Sequence, residues 1–151
     1  SPLDFLSVPA DPGYRQVSYI EGQILDVDVR SHVITLMDGT AWEGGGMILL
    51  PVADIIILPI PGESLAVAYS GGMMDVVRLV GGTPIVRSGL LVKVTEKNSR
   101  GDVLKLSSGD VVELGYDSYR AATWLPPFDA VVTGRKIYNL RRGQSVQATT
   151  F

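Results

Sequence analysis

Cysteine is absent from this 151-residue chain, and histidine occurs once, at position 32. Without a thiol there is no disulfide, no thiolate nucleophile and no cysteine-bound metal, and the redox compartment stays open. A Ser-His-Asp arrangement would have only His32 to use, and that residue lies in "RSHV", which reads as a surface hairpin connection. A zinc site would need several carboxylates, and no spacing suggests one. No run of Lys and Arg exceeds two residues, as at Arg141-Arg142, and the net charge is −3. This argues against broad nucleic-acid binding, which needs a basic face to displace counterions, and no polybasic membrane patch is visible. The longest apolar stretch, "MILLPVADIIILPI" at 47–60, contains Pro51, Asp54 and Pro59. It falls short of the roughly 20 residues a membrane helix needs and reads as buried strand and turn.

What is present is β-like. The hydrophobic share is 46% and the charged share 19%, within the range of a globular protein that holds its own core. Residues 1–16, "SPLDFLSVPADPGYRQ", carry three prolines and no period; they read as an extended arm that docks through Leu3, Phe5 and Leu6, or as a disordered lead. From Val17 onward, β-branched segments of four to eight residues are punctuated by Gly or Pro. Along "VSYIEGQILDVDV", strict alternation puts Ile24 on the face opposite Leu25 and Val27. Asp38-Gly39 signals a tight hairpin of type I′, with positive φ at both central positions. Helical periodicity is absent except over "YDSYRAAT", 116–123, which is enough for one or two turns.

The chain also repeats itself. "LMDGTAWE" (36–43) and "LSSGDVVE" (106–113) keep Leu, Gly and Glu in register. Val33–Leu36 aligns with Val103–Leu106, Gly39 with Gly109 and Glu43 with Glu113. Upstream, Gly22–Leu25 aligns with Gly89–Val92 if the second copy has a connection three residues longer. Downstream, Pro61-Gly62-Glu63 aligns with Pro127-Phe128-Asp129, and Val76, Leu79, Gly82 and Ile85 fall on Ile137, Leu140, Gly143 and Val146. The expected architecture is all-β: an arm (1–16) and two tandem five-stranded SH3-like barrels, at 17–86 and 87–151. A single larger barrel or sandwich with a shared core is the alternative.

Candidate chemistry is thin. Asp26 and Asp28, two apart on one strand, could form an acid/base pair or a cation site, or a solvated strand face. The glycine clusters at 43–47, 70–72 and 80–82 lack the dinucleotide fingerprint and any Gly-Lys-Ser/Thr, and fit turns and bulges instead. Denser in chemistry is "GYDSYRAATWLPPF", with Tyr116, Tyr119, Arg120, Trp124 and Phe128, followed by Tyr138 on the last strands. Aromatics with Arg are favoured at binding hot spots, so Tyr116, Tyr119, Arg120, Trp124 and Tyr138 form the candidate groove for an extended peptide or glycan. In the other reading Trp124 fills the core and the tyrosines cap it. Trp42 poses the same question in the first copy, where the cognate stretch is aliphatic and could serve as an interface between copies or subunits.

The stretches "VLKLSSGDVVEL", "TWLPPFDAVV" and "IYNLRRGQSV", within residues 103–147, resemble small exported bacterial proteins with SH3-like β folds and no assigned function. The first copy departs from that pattern after Trp42 and lacks the later Trp. The resemblance implies the fold and an exported or periplasmic bacterial setting, and brings no catalytic residues. The expectation is a non-catalytic binding or adaptor module without a cofactor, whose partner is a protein or a cell-wall glycopeptide. A structural subunit of a secretion or virion assembly, forming a homo-oligomer, is the alternative.

Overall fold

The computed structural model describes residues 14–44 and 54–150. The arm positions Leu3, Phe5 and Leu6, and the stretch 45–53 with most of the "EGGGM" and "MILLPVA" segments, lie outside the described residues. The fold is all-β and divides into two compact units, Val17–Ser88 with Leu140–Gln144, and Gly89–Asn139 with 145–150, with which Tyr14, Arg15 and Gln16 also group.

The first unit contains β1 (Arg15–Asp28), β2 (Val33–Leu36), β3 (Ala41–Gly44), β4 (Asp54–Pro59), β5 (Leu65–Ser70) and β6 (Met73–Gly81). Antiparallel pairings run β1-β2-β3-β6-β5-β4, and β4 pairs back onto β1, so the six strands close into a barrel. Its interior holds Ile20, Ile34, Leu36, Trp42, Ile55, Ile57 and Val77 with Ala66 and Ala68. Along β5 the alternation is strict: Ala66, Ala68 and Ser70 point inward, and Leu65, Val67 and Tyr69 point outward and are half-buried. Each fully buried Leu, Ile or Val contributes about 1.5–3 kcal/mol, and closure lets every strand supply some.

The second unit contains β7 (Arg87–Lys97), β8 (Val103–Leu106), β9 (Val111–Leu114), a 3-10 helix (Ser118–Thr123), β10 (Phe128–Val132), β11 (Lys136–Asn139) and β12 (Gln144–Thr150). Its sheet order is β7-β8-β9-β12-β11-β10, with β10 also paired to β7. This is the order of the first unit, strand for strand. Its core gathers Val92, Val94, Leu104, Leu106, Val112, Trp124, Phe128 and Ile137. Each unit has six strands, one more than the sequence pattern suggests.

The ladders revise the alignment. Ile24 stands opposite Leu36 and Val94 opposite Leu106, so Gly22 corresponds to Val92 and not to Gly89, and no longer connection is needed. Pro61-Gly62-Glu63 lies in the turn after β4, whereas Phe128 and Asp129 open β10. Val76 and Leu79 lie on β6, whose place in the order is taken by β12 rather than by Ile137 on β11. Short strands with period-two apolar residues align in several registers, and only the hydrogen-bonded ladders separate them.

Two local features explain further differences. Pairing slips between Ile24 and Asp26, and likewise between Val94 and Glu96. A bulge at each place inserts one residue and reverses the facing beyond it. Ile24 and Val27 therefore both pack against the core while Leu25 is exposed, contrary to strict alternation. The Asp38-Gly39 turn does form a hairpin, but not of type I′, because only Gly39 has positive φ. Gly39 N donates to Leu36 O, and Leu36 N donates to Thr40 O, leaving a three-residue connection whose last residue is a left-handed glycine. Gly109 N to Leu106 O and Leu106 N to Asp110 O repeat it in the second unit.

Candidate functional site

The segment 115–127, between β9 and β10, is held by its underside. Trp124 is fully buried and meets Phe128 edge-on, with ring centroids 5.5 Å apart and planes at 80°. Ala121, also buried, is the inward residue of the 3-10 helix. Asp117 is buried, and its Oδ1 accepts the backbone N–H of Gln147 at 3.0 Å, while Gly115 N donates to Gln147 O at 2.8 Å. These bonds tie the start of the segment to β12. Its far end is tied to β7: Lys97 Nζ donates to Ala122 O at 2.7 Å and to Ala121 O at 3.3 Å. The last carbonyls of a helix lack intrahelical donors, and a cation there satisfies them and offsets their partial negative charge.

Fixed in this way, the segment turns its remaining side chains outward. Tyr116 is 88% exposed and Tyr119 70%, and Leu125 is exposed beside them in sequence. Arg120 is exposed on the same short helix. The five expected site residues therefore separate. Tyr116, Tyr119 and Arg120 form a displayed set. Trp124 and Tyr138 are buried to 0% and 1% exposure and do not line a surface groove. For Trp124 the apolar gain from core burial outweighs display. Tyr138 lies on the face of β11 opposite Ile137, with Lys136 Nζ 5.3 Å from its ring centroid, a cation–π distance. Trp42 is likewise a core residue. Its indole Nε1 donates to Thr40 Oγ1 at 2.9 Å, and Thr40 Oγ1 donates to Asp38 Oδ1 at 2.6 Å.

The other candidates are occupied with turns. His32 is exposed at the end of the β1–β2 connection with φ of 60°. Asp28 Oδ1 accepts the backbone N–H groups of Arg30 and Ser31. Those bonds to Ser31, backbone first and then side chain, and to Arg30 hold its carboxyl below the usual range, with a further small pull from His32. At the matching place in the second unit, Asn98 Oδ1 accepts the N–H groups of Gly101, Asp102 and Val103. Asp28 thus does the structural work that an uncharged amide does in the other unit. Among the described residues no group of three or more His, Asp or Glu is arranged to hold a metal ion, and no helix is long and apolar enough to cross a membrane. No family model matches the chain, and neither the curated proteins nor the solved structures compared with it give a match.

Sequence reasoning missed Lys97 and Leu125. Lys97 reaches its carbonyls across 24 residues of chain, with no local signal. Leu125 had one: a residue before the Pro126-Pro127 pair is held extended and out of the preceding helix.

Proposed function

We propose that the protein is a non-catalytic binding or adaptor module that recognises an extended peptide or glycopeptide through Tyr116, Tyr119 and Arg120. One observation carries this reading: two tyrosines within four residues are 88% and 70% exposed on a segment pinned by Trp124, Asp117 and Lys97. A stiff amphipathic ring on a fixed backbone loses little entropy when it meets a ligand, and Tyr and Arg lead the residues that carry binding energy. The commitment of Asp28 and His32 to a turn supports a binding role over catalysis. The shared strand order of the two units supports reading them as two copies of one SH3-like design, with the second copy specialised by its 3-10 insertion. The resemblance of residues 103–147 supports a bacterial envelope setting, exported or periplasmic, where cell-wall glycopeptide is an available ligand.

The test is co-sedimentation of the intact chain with purified bacterial sacculi, beside a Tyr116→Ala/Tyr119→Ala variant. Both positions are exposed, so the variant keeps its fold, checked by circular dichroism. Binding by the intact chain that is lost in the variant supports the reading. Equal binding by both overturns the assignment to these tyrosines, and none by either removes the cell-wall glycopeptide as the ligand.

A second reading is a structural subunit of a secretion or virion assembly. The outward face of β6 favours it, since Met74, Val76 and Val80 are exposed in alternation and Val67 faces Val76 across the ladder. A mass that rises with concentration in light scattering, and falls to that of one chain in a Val76→Glu variant, would favour this reading.

A further inference from the structure

We infer that a second binding site lies on the outer face of β7, and that it takes an acidic peptide segment with an apolar residue beside its carboxylate. It is separate from the displayed tyrosines and does not rest on them. An open cavity of about 460 Å³ is lined there by Tyr14, Arg15, Leu91, Lys93, Ser107 and Asp129. That volume lies within the roughly 300–1,000 Å³ of small-ligand sites.

The site is built by the ladder. Val92 and Val94 belong to the core, so alternation turns Leu91 and Lys93 outward to form the floor. Asp129 on β10 is the direct cross-strand neighbour of Lys93, and Ser107 N donates to Lys93 O at 2.9 Å. Tyr14 supplies a wall whose position is fixed at both ends. It packs against the core cluster, and its hydroxyl donates to Asp110 Oδ2 at 2.5 Å and accepts from Ser108 Oγ at 3.0 Å. A wall held before the ligand arrives spares the cost of ordering it.

Charge selects the ligand. Two cations, Arg15 and Lys93, face one carboxylate, Asp129, within a chain of net charge −3. A second carboxylate, Asp110, accepts the Tyr14 hydroxyl behind that wall and lies outside the cavity lining. The lining itself thus carries one more cation than carboxylate, on an acidic protein. A carboxylate is drawn between Arg15 and Lys93, while an aliphatic neighbour rests on Leu91 and the Tyr14 ring.

The test is an NMR titration of the full chain with the blocked tetrapeptide acetyl-Leu-Glu-Leu-Glu-amide, beside its Leu-Lys-Leu-Lys counterpart. The acidic probe is expected to shift the amides of Leu91, Lys93, Ser107 and Asp129, and the basic one to leave them unmoved. An Arg15→Glu/Lys93→Glu variant should weaken binding about tenfold or more. Asp129→Asn, which removes the competing carboxylate, should tighten it severalfold, so a misfolded double variant still leaves a readout. Absence of shifts at millimolar probe, equal shifts with the basic peptide, or no gain in Asp129→Asn would each overturn the site. Shifts confined to Tyr116 and Tyr119 would overturn it too, while supporting the binding role of the displayed tyrosines.

Discussion

Replacing Thr40 by Val tests the buried hydrogen-bond chain that ends on Trp42. The two side chains have the same shape, so the change opens no cavity and acts through the hydroxyl alone. Thr40 is fully buried, donates to the Asp38 carboxylate and accepts from the Trp42 indole. A hydrogen bond to a charged group is worth about 1.5–3 kcal/mol net, and leaving the buried indole N–H unpaired costs about 1–3 kcal/mol. The extra methyl returns about 1 kcal/mol of apolar burial. The variant should therefore lose about 2–4 kcal/mol in urea unfolding followed by Trp fluorescence, with an unchanged denaturant slope. In a Trp42→Phe background there is no N–H to orphan, so the same change should cost about 1–3 kcal/mol less. A Thr40→Val loss below about 0.5 kcal/mol, or one equally large in the Trp42→Phe background, would refute this account of the hairpin.

Lys97→Met keeps most of the apolar stem and removes the cation from the carbonyls of Ala121 and Ala122. Because Ala122 is exposed and the buried Ala121 O keeps the Trp124 amide as a donor, the global loss should stay near about 1–2 kcal/mol, and hydrogen exchange should quicken first at that Trp124 amide. Gly82→Ala should be costly for its size. At φ of 80° an added Cβ would stand 2.7 Å from Gly39 O and 2.9 Å from Thr40 Cα, so a loss of about 2–4 kcal/mol is expected in the same unfolding assay. Asp28 predicts an acid dependence. Its carboxyl titrates below the ordinary carboxylate value of about 3.9, so its contribution is complete above that pH and fades as pH falls through the lower folded value. Asp28→Asn, which installs the residue that the second unit uses at this place, should hold the turn at neutral pH and flatten the acid limb of the urea midpoint between about pH 2 and 5.

Much of this molecule was readable from local signals. The all-β class followed from β-branched segments punctuated by glycine. The recurrence of the Leu36–Glu43 turn at Leu106–Glu113 was visible because a left-handed glycine and its flanking strands lie within eight residues of chain. The one or two turns expected over 116–123 from local helical periodicity are matched by the 3-10 helix at Ser118–Thr123. Beyond a single hairpin the signal failed. Period-two alternation is the same in every strand, so by pattern alone β11 aligns with β6 as readily as β12 does, and the bulges at Leu25 and Thr95 leave no trace that separates an inserted residue from an ordinary one.

The candidate site divides along the same line. That residues 116–128 are rich in aromatics is a property of the sequence; which rings face water is a property of the fold. Trp124 went inside because the core needs large apolar volume, Tyr138 is buried on the face of its strand opposite the core residue Ile137, and Tyr116 and Tyr119 stayed outside because Asp117 and Lys97 hold the backbone between them and the core. The groove at Tyr14 has no local signal, since its members come from separate places in the chain. Chemistry set by neighbours along the chain is written in the sequence, whereas chemistry set by strands meeting across a ladder exists only once the chain has folded.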